Sequence, residues 1–182
     1  MKNLETLTRG QVSDENALIF DALKTKIGMV PNLYATVANS NVALKALLDL
    51  GQTLGGGEFS GAEAEAIALA VAEANSCDYC LAAHTAAGKM QGLTQEETIK
   101  VRTGEIEDVK LKILTDLARD ITLTRGYPSP SSIERFFDVG YTKAALVDLI
   151  GFVANNIFTN YLNHIAGTEI DFPKAPKLPE LV

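Results

Sequence analysis

Both cysteines of the chain and one of its two histidines fall in a single short stretch, Asn75-Ser76-Cys77-Asp78-Tyr79-Cys80-Leu81-Ala82-Ala83-His84. Cys77 and Cys80 form a C-x-x-C, and His84 follows Cys80 by one helical turn. On a helix, spacings of three, four and seven keep side chains on one face. One face would therefore carry two thiols and an imidazole. Helical positions three apart lie about 5 Å from each other between Cα atoms, inside the range that a disulfide bridges. The pair can close and open with little backbone movement. This spacing predicts a redox-active dithiol with a base beside it.

A thiol with the ordinary pKa of ~8.5 is mostly protonated at neutral pH and must be activated before it attacks a peroxide or a disulfide. Cys77 stands at a helix start, where unpaired N–H groups and the helix dipole favour an anion. His84 is placed to take the proton of Cys80. A carboxylate could then orient the imidazole and stabilise its charged form. If the alanine-rich stretches on either side of Asn75-Ser76 fold back on each other, Glu65 and His84 differ by about 5 Å in height along the hairpin. Glu73 then sits at the turn, and Glu63 is used by a capping box with Ser60. Glu65 is the expected orienter. Tyr79 lies on a different face from the cysteines and reads as a packing residue whose hydroxyl could join a proton relay. His164, in Asn160-Tyr161-Leu162-Asn163-His164, reads as structural, satisfying buried polar groups.

The elements that must hold these residues are helical almost throughout. Ser13, Ser40, Ser60, Thr94, Ser129 and Thr142 are helix caps ahead of apolar residues at helical spacing. Gly28 and Gly55-Gly56-Gly57 read as stops, and Pro31 and Pro130 as helix openers. The fold class expected is all-α, a compact bundle of about eight helices in one domain over 1–182. Its redox core is an antiparallel hairpin over about 58–92. Residues 168–182, with Pro173, Pro176 and Pro179, read as an extended tail. Shifting the chain by eighty places puts Ala74-Asn75 on Ala154-Asn155, His84 on His164 and Leu69 on Leu149. Chance and an internal pseudo-two-fold repeat both account for those identities.

Composition narrows the function. The formal charge is −7, so an acidic surface repels phosphate backbones and nucleic acid is not an expected partner. No apolar run reads as a membrane span, and no secretory signal opens the chain at Met1-Lys2-Asn3-Leu4-Glu5. A cytoplasmic protein is expected, and two cysteines there point to catalysis or metal binding rather than a structural bridge.

Glu65, then Cys77-x-x-Cys80, then His84 resembles the core motif of alkylhydroperoxidase D, in the carboxymuconolactone decarboxylase superfamily. Gly28-Met29-Val30-Pro31-Asn32-Leu33-Tyr34 and Asn160 to Thr168 are similar to segments of its peroxidase-related branch. The resemblance implies an all-helical fold with internal two-fold similarity, and homo-oligomers, often trimers or hexamers. It implies thiol peroxidase or disulfide reductase activity of a peroxiredoxin type. No bound cofactor is implied; the implied partners are a small hydroperoxide and an external dithiol donor, lipoyl or thioredoxin-like. In the best-known members a histidine precedes the second cysteine where this chain has Tyr79. The decarboxylase branch lacks the C-x-x-C, which argues against lactone decarboxylation. The assignment made is Cys80 as peroxidatic thiol and Cys77 as resolving thiol, nearer the helix start and more open to the reductant; the spacing also fits the reverse. The competing readings are a metal-binding module using Cys77, Cys80, His84 and Glu65, a redox sensor without turnover, and a decarboxylase-like lyase.

Overall fold

The caps written in the sequence set the helix ends in the computed structural model, which describes residues 4–178. Ser13 accepts the Asn16 N–H and starts α1 (Asp14–Ile27), which stops at Gly28 with φ 87°. That left-handed turn suits glycine, which has no Cβ to clash. Pro31 precedes α2 (Asn32–Val37), and Ser40 caps α3 (Asn41–Leu54). In front of α4 (Gly61–Ala74), Ser60 Oγ accepts the Glu63 N–H while the Glu63 carboxylate accepts the Ser60 N–H. α5 spans Asp78–Met90, and α6 (Gln95–Thr103) starts at the reciprocal Thr94–Glu97 box. Asp108 caps α7 (Val109–Leu123), Ser129 caps α8 (Pro130–Asp138) and Thr142 caps α9 (Lys143–Ala166). A 3₁₀ turn at Arg9–Gln11, which no periodicity announces, precedes α1. The described residues thus form nine α-helices and no strand, an all-α bundle with one helix more than the eight or so expected.

α4 is the centre of the bundle. Every residue from Ala66 to Ala72 is buried, and α4 packs against α5, α6, α7 and α9. A helix apolar on all sides is stable only when it is covered on all sides. Its alanines let four neighbours come close. The core around it includes Phe136, Leu114, Leu117 and Leu149, and a smaller cluster of Phe20, Val37, Leu44 and Leu47 lies under α1–α3.

Three expectations are completed or corrected. The tail reads as extended in the sequence, and through residue 178 it is extended but seated on its own chain. Ile170, Phe172 and Ala175 pack on the core, Asp171 accepts the Asn32 N–H at 2.7 Å, and Arg102 donates to the Pro176 carbonyl at 2.6 Å. Residues 179–182 of that tail, and Met1–Asn3 of the opening segment, lie outside the described residues. The eighty-residue register does not relate structural copies, because the first stretch bends at Asn75–Cys77 between two helices and the second is the unbroken α9. Finally, α9 is, by length and composition, long and apolar enough to cross a membrane. Its buried side instead covers α4, with contacts to α2, α3, α5 and α7. Its buried Asn156, Asn160 and Asn163 interrupt what a sequence scan reads as apolar.

Candidate active site

The connection between α4 and α5 builds the site. Asn75 ends α4, and Ser76 takes a left-handed conformation with φ 55°. The Cys77 N–H then reaches back to the Ala72 carbonyl at 2.9 Å, which reverses the chain. Cys77 is the N-cap of α5: its Sγ accepts the Cys80 N–H at 3.4 Å. A sulfur in this position faces the unpaired N–H groups of the first turn, where an anion is favoured.

Cys77 and Cys80 are joined by a disulfide, with Cα atoms 5.3 Å apart. Both are buried, at 1% and 2% exposure. Cys77 is therefore not the more open thiol. As N-cap, its side chain folds over the start of α5, and α9 covers it. The Asn163 side-chain amide lies 3.3 Å from Cys80 Sγ and 4.0 Å from Cys77 Sγ, donating to both.

Farther along the hairpin, His84 Nδ1 is 2.8 Å from Glu65 Oε2, and both side chains are about three-quarters buried. The height estimate made from the helical rise thus brings together the pair it proposed. The other two carboxylates are occupied elsewhere. Glu73 accepts from Arg102 Nε at 2.7 Å, and Glu63 holds Ser60 and the Tyr141 hydroxyl.

Tyr79 is placed apart from this pair. Its hydroxyl accepts the Leu33 N–H at 3.1 Å, and its ring meets Phe172 edge-on. Burial, and secondarily the Asp171 carboxylate, hold its pKa far above the ordinary phenol value, so it stays protonated. His164 is exposed and satisfies no buried group; the residue before it, Asn163, is the one turned inward. Two residues were missed. Burial, and after it the Glu65 carboxylate, raise the Tyr34 pKa; no spacing in the sequence links the two. Asn163 had a signal, since asparagines at 156, 160 and 163 recur on one face of an apolar helix. Among the described residues, no three His, Cys, Asp or Glu side chains are grouped to hold a metal ion.

The comparisons with known proteins agree with this picture. Residues 42–109, which span α3 to the start of α7, match the carboxymuconolactone decarboxylase family. No curated protein matches the sequence. Among solved structures, an uncharacterised peroxidase-related protein from Silicibacter sp. TM1040 is 23% identical, with TM-score 0.80 over 92% of this chain and 89% of that one. An alkylhydroperoxidase AhpD core protein from Ralstonia eutropha JMP134, also an uncharacterised peroxidase-related protein, is 20% identical, with TM-score 0.83 over 92% of this chain and 90% of that one. The debrominase Bmp8, in a cysteine-to-alanine variant bound to 2,3,4-tribromopyrrole, is 14% identical, with TM-score 0.81 over 94% of this chain and 92% of that one. The segment matched to the carboxymuconolactone decarboxylase family contains Glu65, Cys77, Cys80 and His84, and the fold is that of the peroxidase-related structures.

Proposed function

We propose that this chain, which shares the fold of an alkylhydroperoxidase AhpD core protein, is an enzyme: a cytoplasmic thiol-dependent hydroperoxide reductase. The observation that carries the reading is one hairpin holding a C-x-x-C disulfide at helical spacing and, one turn on, a histidine bonded to a carboxylate. In the reduced enzyme, His84 takes the Cys80 proton, and Glu65 stabilises the imidazolium. The Cys80 thiolate attacks the O–O bond of a hydroperoxide and takes one oxygen. The other oxygen leaves as an alcohol with the proton returned from His84, and Cys80 becomes a sulfenic acid. Cys77 Sγ then displaces that hydroxyl as water, giving the Cys77–Cys80 disulfide. Two electrons pass from the dithiol to the peroxide. An external dithiol, lipoyl or thioredoxin-like, restores both thiols by exchange.

A coupled peroxidase assay with dihydrolipoamide and thioredoxin as alternative donors tests this. Steady consumption of hydroperoxide with one of them is expected, and its loss in Cys77→Ser and in Cys80→Ser. Thiols that oxidise once but never turn over with either donor would leave a sensor and defeat the proposal. Tribromopyrrole in place of peroxide asks whether the debrominase that shares the fold shares more than that.

A homo-oligomer, a trimer or a multiple of it, belongs to the same proposal. Its structural support is the exposed line of Val147, Ile150, Phe158, Tyr161 and Ile165 along α9, since apolar side chains at helical spacing on a solvent face mark an association surface. Light scattering should return a multiple of 19.5 kDa. A monomer at micromolar concentration would refute it.

A further inference from the structure

We propose that Asn163 is a positioning residue of the dithiol, the donor that holds the Cys80 sulfur as a thiolate once the disulfide is opened. The proposal rests on the reductase reading above only for its consequence, not for its test. The Asn163 amide is 5% exposed and points its Nδ2 at Cys80 Sγ from 3.3 Å. Its Oδ1 is buried and has no hydrogen-bond partner among the described residues. Nothing else in the neighbourhood therefore fixes the amide by its oxygen. A primary amide carries two N–H donors and one acceptor. Against a thiolate it donates, and against a protonated thiol its oxygen can accept the S–H. Donation to the charged form is a bond to an ion, stronger than the bond to the neutral thiol. The difference lowers the pKa of the thiol.

The two sulfurs are stabilised by different means. Cys77 Sγ has the N-terminus of α5, through the Cys80 N–H. Cys80 Sγ is inside that first turn and draws its nearer donor from another helix. The ionisable groups around Cys80 are few. α5 itself supplies His84, paired with Glu65 of α4, and Asp78, exposed in the first turn. Glu73 of α4 is held by Arg102 of α6. α9 contributes His164, which is exposed, and the neutral Asn163. Asn163 is thus the polar contact to Cys80 Sγ that comes from outside the α4–α5 hairpin and needs no charge.

The test uses the reduced full chain in a Cys77→Ser background, so that thiolate absorbance against pH reports Cys80 alone. Asn163→Ala is expected to raise the Cys80 pKa by about one unit, a tenfold fall in thiolate at a fixed pH below it. Asn163→Asp, of the same shape, should raise it further by setting a negative charge beside the sulfur. Asn160→Ala is the control: Asn160 is as buried, on the same helix, but its oxygen accepts from Asn75 Nδ2 at 2.8 Å. It should cost stability and leave the Cys80 pKa in place. In the reduced Cys77→Ser chain with Asn163 in place, the Asn163 side-chain N–H resonances should shift with the Cys80 titration, a readout that needs no change at Asn163. An unmoved pKa in Asn163→Ala, an equal shift in Asn160→Ala, or amide resonances indifferent to the titration would each overturn the assignment. None of these measurements involves peroxide, so a failed reductase assay and a failed Asn163 titration are separate results.

Discussion

Glu65→Gln is expected to keep the fold and the disulfide and to slow peroxide turnover by about 10²- to 10⁴-fold. The glutamine amide can still hydrogen-bond to His84 Nδ1 across the 2.8 Å that the carboxylate spans. It cannot stabilise the imidazolium by charge, so His84 holds the Cys80 proton less well. His84→Ala should be at least as slow, and the double variant little slower than either, because the two side chains act as one unit. Glu63→Gln is the comparison. Burial raises the Glu63 pKa, but the Ser60 N–H and hydroxyl and the Tyr141 hydroxyl outweigh it, so the carboxyl titrates below its ordinary value. A depressed folded-state pKa adds stability above the unfolded value, and that stability is lost as pH falls through the folded one. Glu63→Gln should therefore weaken the protein near neutral pH, narrow its loss on acidification, and leave the rate per folded enzyme nearly unchanged. Initial peroxide reduction in both variants decides the matter. Equal rates would remove Glu65 from the mechanism.

Glu73→Leu is the variant expected to cost most in stability, about 3 kcal/mol in urea unfolding. Arg102 is 6% exposed in its side chain and keeps its charge inside the protein on two partners, Glu73 and the Pro176 carbonyl. Removing the carboxylate leaves a buried cation with a single carbonyl. The diagnostic step is the second substitution. Arg102→Met in the Glu73→Leu background should restore most of the loss, because an apolar pair of similar volume carries no desolvation cost. If the double variant is no more stable than Glu73→Leu, packing rather than charge is what the pair provides.

The helices were legible because their ends are local. Each cap at Ser13, Ser40, Ser60, Thr94, Ser129 and Thr142 bonds within its own first turn, at a distance the sequence already specifies. The Glu65–His84 pair was legible for a related reason: one turn and a constant rise per residue relate the two. What could not be read depends on elements far apart in the chain. The tail's seat depends on Asp171 meeting Asn32 and on Pro176 meeting Arg102. The burial of Cys77 depends on α9, and so does the inward turn of Asn163 rather than His164. One position along a helix is a rotation of about 100°, enough to exchange a core residue for a surface one.

The packing of α9 bears on how the chain is made. Every helix it touches, α2, α3, α4, α5 and α7, precedes it in the sequence. During synthesis the most membrane-like helix is made only after the helices it packs on. Until then α4 lacks part of its cover. When α9 docks, its Leu149, Phe152 and Val153 and the all-apolar middle of α4 leave solvent together.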